Sequence, residues 1–325
     1  MTVQVTLHAG AAVAALRGGG LVALPTETVY GLAGDARDPA AVARIFATKG
    51  RPATHPVIVH LPDAGALDRW ATAVPPWARS LAEATWPGPL TLIVNRADDV
   101  LDAVTGGQPT VGLRVPAHPL TLEVLGEFGD GLAAPSANRY GHVSPTTVEH
   151  VMAELGEVLN ASRDLVLDGG RCPVGVESTI IGAWDDTPRL LRAGAVTAEQ
   201  VSEATGRDVS MADGGVRAPG TTVAHYAPRA HVLTVEADAL ADILSEVVSP
   251  FGLIALSTVA VPEIDHVRLA APADAAEYAF VLYAALHAAD DAGLGVVVAV
   301  LPPDAGVGHA VRDRLQRAAS SGART

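Results

Sequence analysis

No apolar run in this chain reaches the roughly 18 uninterrupted residues that a membrane-crossing helix needs, because Gly, Pro or a charge cuts each one short. Runs rich in Val, Ile and Leu, at residues 20–24, 56–61, 90–94, 110–115, 132–134, 165–167 and 178–181, stand instead between stretches of helical apolar spacing. Such alternation predicts a soluble α/β protein, with a mixed sheet and its helices occupying residues 1–209. Asp38-Pro39 reads as an N-cap followed by a first-turn proline, opening a helix that places Val42, Ile45 and Phe46 on one side. That helix delivers Lys49-Gly50-Arg51-Pro52. Residues 210–230 lose the pattern in Gly, Pro and Thr, which predicts a linker rather than an element. Beyond it, strands at 231–235, 252–256 and 296–301 alternate with helices near 237–248, 273–292 and 307–319, a smaller α/β domain over residues 231–325. That domain has neither a G-x-G-x-x-G turn nor a P-loop, so nucleotide binding within it has no motif behind it.

Charge narrows the function. The net charge of −14 and the 4% aromatic content oppose a surface built to grip nucleic acid, which needs clustered cations and stacking platforms. Of 22 basic residues one is lysine, Lys49, and 21 are arginine. Wherever a generic positive charge serves, the chain uses Arg, so the exception points to an anion site shaped for a compact ammonium. Lys49 and Arg51 follow a helix, and Ser136-Ala137-Asn138 follows a strand. Brought together, their ammonium, guanidinium, hydroxyl and amide would bind several anionic oxygens, as of a triphosphate or a carboxylate; a surface salt-bridge role is the bland alternative. Arg114 lies within an apolar strand and needs an anionic partner, either a carboxylate of the protein or one of a substrate. Thr26-Glu27-Thr28 reads as turn chemistry and His60 as a core histidine. The 11 histidines are scattered without ligand spacing, and Cys172 is the only cysteine. These features exclude a disulfide, argue against a zinc site, and fit a reducing cytoplasm with an inert thiol. No G-x-S-x-G elbow supports a Ser/His/Asp hydrolase.

The blocks Pro25-Thr26-Glu27-Thr28-Val29-Tyr30-Gly31-Leu32, Lys49-Gly50-Arg51-Pro52 and Ser136-Ala137-Asn138 with Ser144-Pro145-Thr146 closely resemble the YrdC family. Lys49, Arg51, Ser136 and Asn138 match its signature tetrad. Asp168-Gly169-Gly170, Gly175-Val176-Glu177-Ser178-Thr179 and Leu191-Arg192-Ala193-Gly194 continue the resemblance, and Pro219-Gly220, His225-Tyr226-Ala227-Pro228 and the second domain resemble its longer, two-domain form. The resemblance implies a YrdC-like twisted mixed sheet plus a smaller Rossmann-like C-terminal α/β domain. It also implies an L-threonylcarbamoyladenylate synthase that condenses L-threonine, bicarbonate and ATP, with Mg2+ accompanying the nucleotide and a separate transferase passing the product to tRNA.

By that similarity the tetrad is catalytic. Threonine meets Thr28, His60, Arg114, Ser178 and the backbone at Ala134; ATP meets Lys49, Arg51, His55, Thr110, Ser136, Asn138, Ser144, Arg192 and Tyr226. The sequence departs from the family at His55, where Asn is usual, and at Ala218-Pro219-Gly220-Thr221-Thr222, where Ser-Pro-Gly-Met-Lys is commoner. Gly214, Gly215 and Gly220 as bends, with Pro219 and Pro228 as stiffeners, suit a linker that folds over the pocket as a lid; a passive tether is the alternative. A non-catalytic double-stranded-RNA-binding module of the same fold is the competing function. A carbamoyl-transfer domain of a larger maturation protein is another, but the zinc-finger and further catalytic regions it needs are missing.

Overall fold

The computed structural model describes residues 2–212, 215–220 and 225–321. It divides into two compact units: Met1–Tyr140, Pro145–Pro173 and Glu177–Thr221 form the first, and Gly141–Ser144, Val174–Val176 and Thr222–Thr325 the second.

Among the described residues the first unit builds eleven strands: β1 (Gln4–Thr6), β2 (Val22–Leu24), β3 (Gly31–Asp35), β4 (Ile58–His60), β5 (Leu90–Asn95), β6 (Thr110–Arg114), β7 (Leu132–Ala133), β8 (Leu165–Leu167), β9 (Thr179–Gly182), β10 (Arg189–Arg192) and β11 (Ser210–Met211). They hydrogen-bond in the order β1-β8-β2-β3-β7-β4-β6-β5-β9-β10-β11. The twisted sheet is mixed, with β4 parallel to β6 and β5 antiparallel to it. Its central strands are buried on both faces, which is why they read as near-continuous apolar runs. Several strands differ from expectation. β1, β3, β10 and β11 lie outside the predicted runs: β3 (GLAGD) and β10 (RLLR) lack the β-branched runs used to recognise strands. β11 falls inside the stretch read as structureless linker and pairs in parallel with β10.

The helix Pro39–Lys49 forms as its sequence dictates. The Asp38 carboxylate accepts from Ala40 N at 2.8 Å and Pro39 fills the first turn. Ala41, Val42, Ile45, Phe46 and Lys49 are buried. Gly50 ends the helix at φ 62°, a left-handed position that a side chain would strain.

The second unit is a parallel sheet of β12 (His231–Val235), β13 (Gly252–Ile254), β14 (Val267–Ala270) and β15 (Val296–Val300), ordered β12-β15-β13-β14. Helices Ala275–Asp291 and Gly308–Ser321 accompany it. β14 (VRLA) was not foreseen, and the helix expected near 237–248 is a 3-10 turn, Ala237–Ala239, followed by Leu240–Glu246.

Candidate active site

Lys49 leaves its helix pointing inward and is 3% exposed. Pro135 O accepts from Leu32 N at 2.7 Å and Ala137 N donates to Tyr30 O at 2.8 Å, so the loop after β7 runs alongside residues 30–32. This holds two carbonyls against the ammonium: Lys49 Nζ donates to Ser136 O and Asn138 O, each at 2.5 Å. Tyr140 N closes the circuit on Lys49 O at 2.8 Å. No carboxylate among the described residues forms a salt bridge with Lys49. Burial first, then the neighbouring Arg51 guanidinium, hold the ammonium well below the usual lysine range, with Glu154 opposing them. Arg51 is buried too; its Nη2 donates to Pro56 O at 2.7 Å and its guanidinium lies 5.8 Å from the Tyr140 ring. His55 Nδ1 meets Tyr140 Oη at 3.1 Å, and its pKa is lowered by burial and by the charges of Arg51 and Arg217. Three of the four tetrad residues thus meet through side-chain or backbone atoms at Lys49, and Arg51 lies beside it.

The second cluster centres on Arg114, at the end of β6 and 4% exposed. Across the sheet its register partner in β4 is His60. Arg114 Nη1 donates to Thr28 Oγ1 at 2.9 Å and Nε to Gly88 O at 3.2 Å. Its counter-charge is a protein carboxylate: Glu27 Oε1 lies 2.7 Å from Arg114 Nη2. Those two atoms are close but misaligned for a hydrogen bond, so the contact is an ion pair and both atoms keep unused hydrogen-bonding capacity. His60 Nδ1 is likewise buried without a hydrogen-bond partner. Ser178 Oγ shares a 2.8 Å hydrogen bond with Thr91 Oγ1 on β5, and Ala134 N donates to Ile58 O at 3.0 Å on β4.

Burial, and then the Arg114 charge, push His60 down to about 3, so it is neutral at ordinary pH. The folded value lies below the unfolded 6.5, so between the two the unfolded chain binds more protons. The His60 contribution is complete above pH 6.5 and is lost as pH falls toward 3, with a slope of at most about 1.4 kcal/mol per unit. Urea unfolding between pH 5 and 6.5 should therefore show a shallower pH dependence for His60→Gln than for the parent; parallel curves would contradict the shift.

Arg192 Nε and Nη2 donate to Ser178 O at 3.1 and 2.8 Å, and Nη1 donates to Pro219 O at 2.9 Å. Gln108 brackets Arg217, accepting from its N at 2.7 Å and donating to its O at 3.0 Å. Ala218 packs with Ile58, Ile93 and Ile180. Residues 215–220 are therefore fastened to the sheet through neighbours of the expected site, whereas Gly214, Thr221 and Thr222 lie outside the described residues. Thr110 is buried at the start of β6, opposite Asn95.

Ser144 and Tyr226 belong to the second unit. There Ser144 O faces His287 Nε2 at 3.4 Å, while Tyr226 (φ 63°) stacks on Tyr283 and lies beneath the Arg314 guanidinium, 5.1 Å away. Glu27, Tyr140, Gln108 and Arg217 were not among the sequence candidates. Glu27 had a signal, its place between two threonines in the first block, but was read as turn chemistry. Cys172 is buried, and burial pushes its thiol up to about 12, which leaves no thiolate for chemistry.

A Sua5/YciO/YrdC family model, described as telomere recombination, matches residues 14–194, and a model described as threonylcarbamoyl-AMP synthase, C-terminal domain, matches residues 196–320. The threonylcarbamoyl-AMP synthase of Bacillus subtilis (strain 168) is 37% identical over 95% of this chain and 92% of its own length. That of Pyrococcus abyssi (strain GE5 / Orsay) is 36% identical over 93% and 91%. The crystal structure of P. abyssi Sua5 complexed with L-threonine superposes with a TM-score of 0.84 at 34% identity, covering 95% of this chain and 93% of that one. The chain belongs to the Sua5/YciO/YrdC family and carries, after its YrdC-type sheet, the C-terminal domain of the threonylcarbamoyl-AMP synthases.

Proposed function

We propose that the chain is an ATP-dependent threonylcarbamoyl-AMP synthase. Relatives named for that activity align along more than nine-tenths of its length. The observation that carries the reading is Lys49, a buried ammonium held by two neutral carbonyls that forms no salt bridge with a carboxylate among the described residues. Such a group, beside a second buried cation, gains its counter-charge from an anionic ligand.

In this reading bicarbonate condenses with the threonine amine, releasing water and leaving an N-carboxylate. One oxygen of that group attacks the α-phosphorus of ATP and pyrophosphate departs. Lys49 and Arg51, with Ser136 and Asn138, hold the phosphate oxygens as charge shifts among them; positioning and electrostatic stabilisation supply the catalysis. Arg114 takes the threonine carboxylate, with Thr28, His60, Ser178 and the Ala134 backbone around it. Thr110, His55 and Arg192 serve the nucleotide, and for Ser144 and Tyr226 that role rests on the resemblance alone. Mg2+ would enter with ATP as the Mg·ATP substrate and would offset part of the phosphate charge beside Lys49 and Arg51. The product passes to a separate tRNA-modifying transferase in the cytoplasm.

The test incubates the full chain with Mg·ATP, labelled bicarbonate and each amino acid in turn. Label should enter a nucleotide, and threonine should be preferred. Tight binding of double-stranded RNA with no labelled nucleotide would establish the binding-module reading instead. The linker supplies a further test, because water must be kept from a hydrolysable adenylate. Replacing residues 216–219 with Gly and Ser at equal length frees the docked segment, and should lower synthesis on the order of 10- to 100-fold. Unchanged synthesis would make the segment a tether.

A further inference from the structure

From this arrangement we infer that Glu27 binds the α-ammonium group of the amino-acid substrate, alongside Arg114, which takes its carboxylate. The inference rests on the amino-acid-activating reading above and adds a residue to it. Glu27 is 7% exposed, and one carboxylate oxygen, Oε2, accepts from Ala117 N at 3.0 Å. The other, Oε1, has no hydrogen-bond partner although it lies 2.7 Å from Arg114 Nη2, which also has none. A buried acceptor and a buried donor are thus held side by side with their directional capacity unspent, and such groups are costly unless something completes them. Helix caps, turns and backbone carbonyls satisfy the polar groups around them. Glu27 Oε1 and Arg114 Nη2 are not completed in that way, and neither is the neighbouring His60 Nδ1.

A zwitterion completes both. Covalent geometry sets the amine nitrogen and the nearer carboxylate oxygen of an α-amino acid about 2.7 Å apart, a spacing that matches the Glu27–Arg114 separation. Laid antiparallel to the pair, the ammonium meets Glu27 Oε1 and the carboxylate meets Arg114 Nη2, so each charge gains a second neighbour of opposite sign. A simple carboxylate would satisfy Arg114 and leave Glu27 facing an uncompensated like charge. Neutral His60, Arg114's neighbour across the sheet, adds no competing cation. The surplus carboxylate capacity is real, because an ionised carboxylate offers about four lone-pair sites and Ala117 N takes one.

The experiment measures binding calorimetrically with the full chain, comparing threonine with 2,3-dihydroxybutanoate, in which a hydroxyl replaces the amine. The parent protein should prefer threonine by about 10- to 100-fold, the range of one charge-assisted hydrogen bond. Glu27→Gln should bring the two ligands within about threefold of each other. Should that variant fail to fold, Glu27→Asp keeps the charge that neutralises Arg114 but retracts it by one methylene. It should lower the preference while leaving affinity for the hydroxy acid unchanged. A carboxylate that served only to neutralise Arg114 would alter both affinities equally, so an unchanged preference in either variant overturns the assignment, as does a parent protein that fails to discriminate. If the parent binds neither ligand, the amino-acid-activating reading itself fails, a result distinct from loss of preference.

Discussion

Lys49→Arg is expected to lower adenylate formation by on the order of 100- to 1000-fold, the effect of removing one preorganised oxyanion donor, although the variant keeps the positive charge. Lys49 Nζ sits 2.5 Å from each of two backbone carbonyls, at the buried end of its helix. A guanidinium is planar and larger, and would have to displace the Ser136-Ala137-Asn138 loop, which residues 30–32 hold by backbone hydrogen bonds. The ammonium's third N–H, left after the two carbonyls are served, is the donor for an incoming phosphate oxygen. Arginine cannot reproduce that direction from the same stem. The lowered pKa of Lys49 adds a second signature, because an anionic ligand favours the charged form and nucleotide binding should be coupled to proton uptake. Calorimetry in buffers of different ionisation enthalpy would detect that uptake in the parent and not in Lys49→Met. Full synthesis by a folded Lys49→Arg protein would remove the lysine from the chemistry.

The Lys49 half of the site was legible because its signal was chemical. A lone lysine among 21 arginines, delivered by a helix whose start is written in Asp38-Pro39, marks its own position. The Arg114 half was half legible. An arginine in a buried strand announces the need for a partner but not which partner, and Glu27 lies 87 positions earlier, so only the pairing of strands could join them. The missed strands follow from the same physics. Gly31–Asp35 is a strand because β2 and β7 flank it and the Pro25–Leu32 block must run beside the Ser136 loop. Its two glycines and one alanine carry little intrinsic preference for a strand, so tertiary pairing decides. For the linker, Gly and Pro suggest a hinged cover, but composition does not say where it docks; the hydrogen bonds that hold residues 217 and 219 come from Gln108 and Arg192, distant in sequence.

Arg114→Met should destabilise the first unit by about 3 to 5 kcal/mol, the cost of leaving a buried carboxylate without its cation. Glu27 and Arg114 are 7% and 4% exposed, so water cannot solvate the orphaned Glu27, and Thr28 Oγ1 and Gly88 O lose donors as well. Adding Glu27→Gln to Arg114→Met removes the stranded charge while leaving an amide oxygen for Ala117 N. Most of the lost stability should return, since exchanging a buried ion pair for neutral groups is often close to neutral. All 4 tryptophans, Trp70, Trp77, Trp86 and Trp184, lie in the first unit, so tryptophan fluorescence during urea unfolding follows that unit alone. The double variant must not be mistaken for a working enzyme: it should fold and still bind no threonine, because both charges that face the zwitterion are gone. A single variant that costs less than about 1 kcal/mol, or a double variant no more stable than Arg114→Met, would show that the pair is not the buried, mutually dependent contact on which the amino-acid site is built.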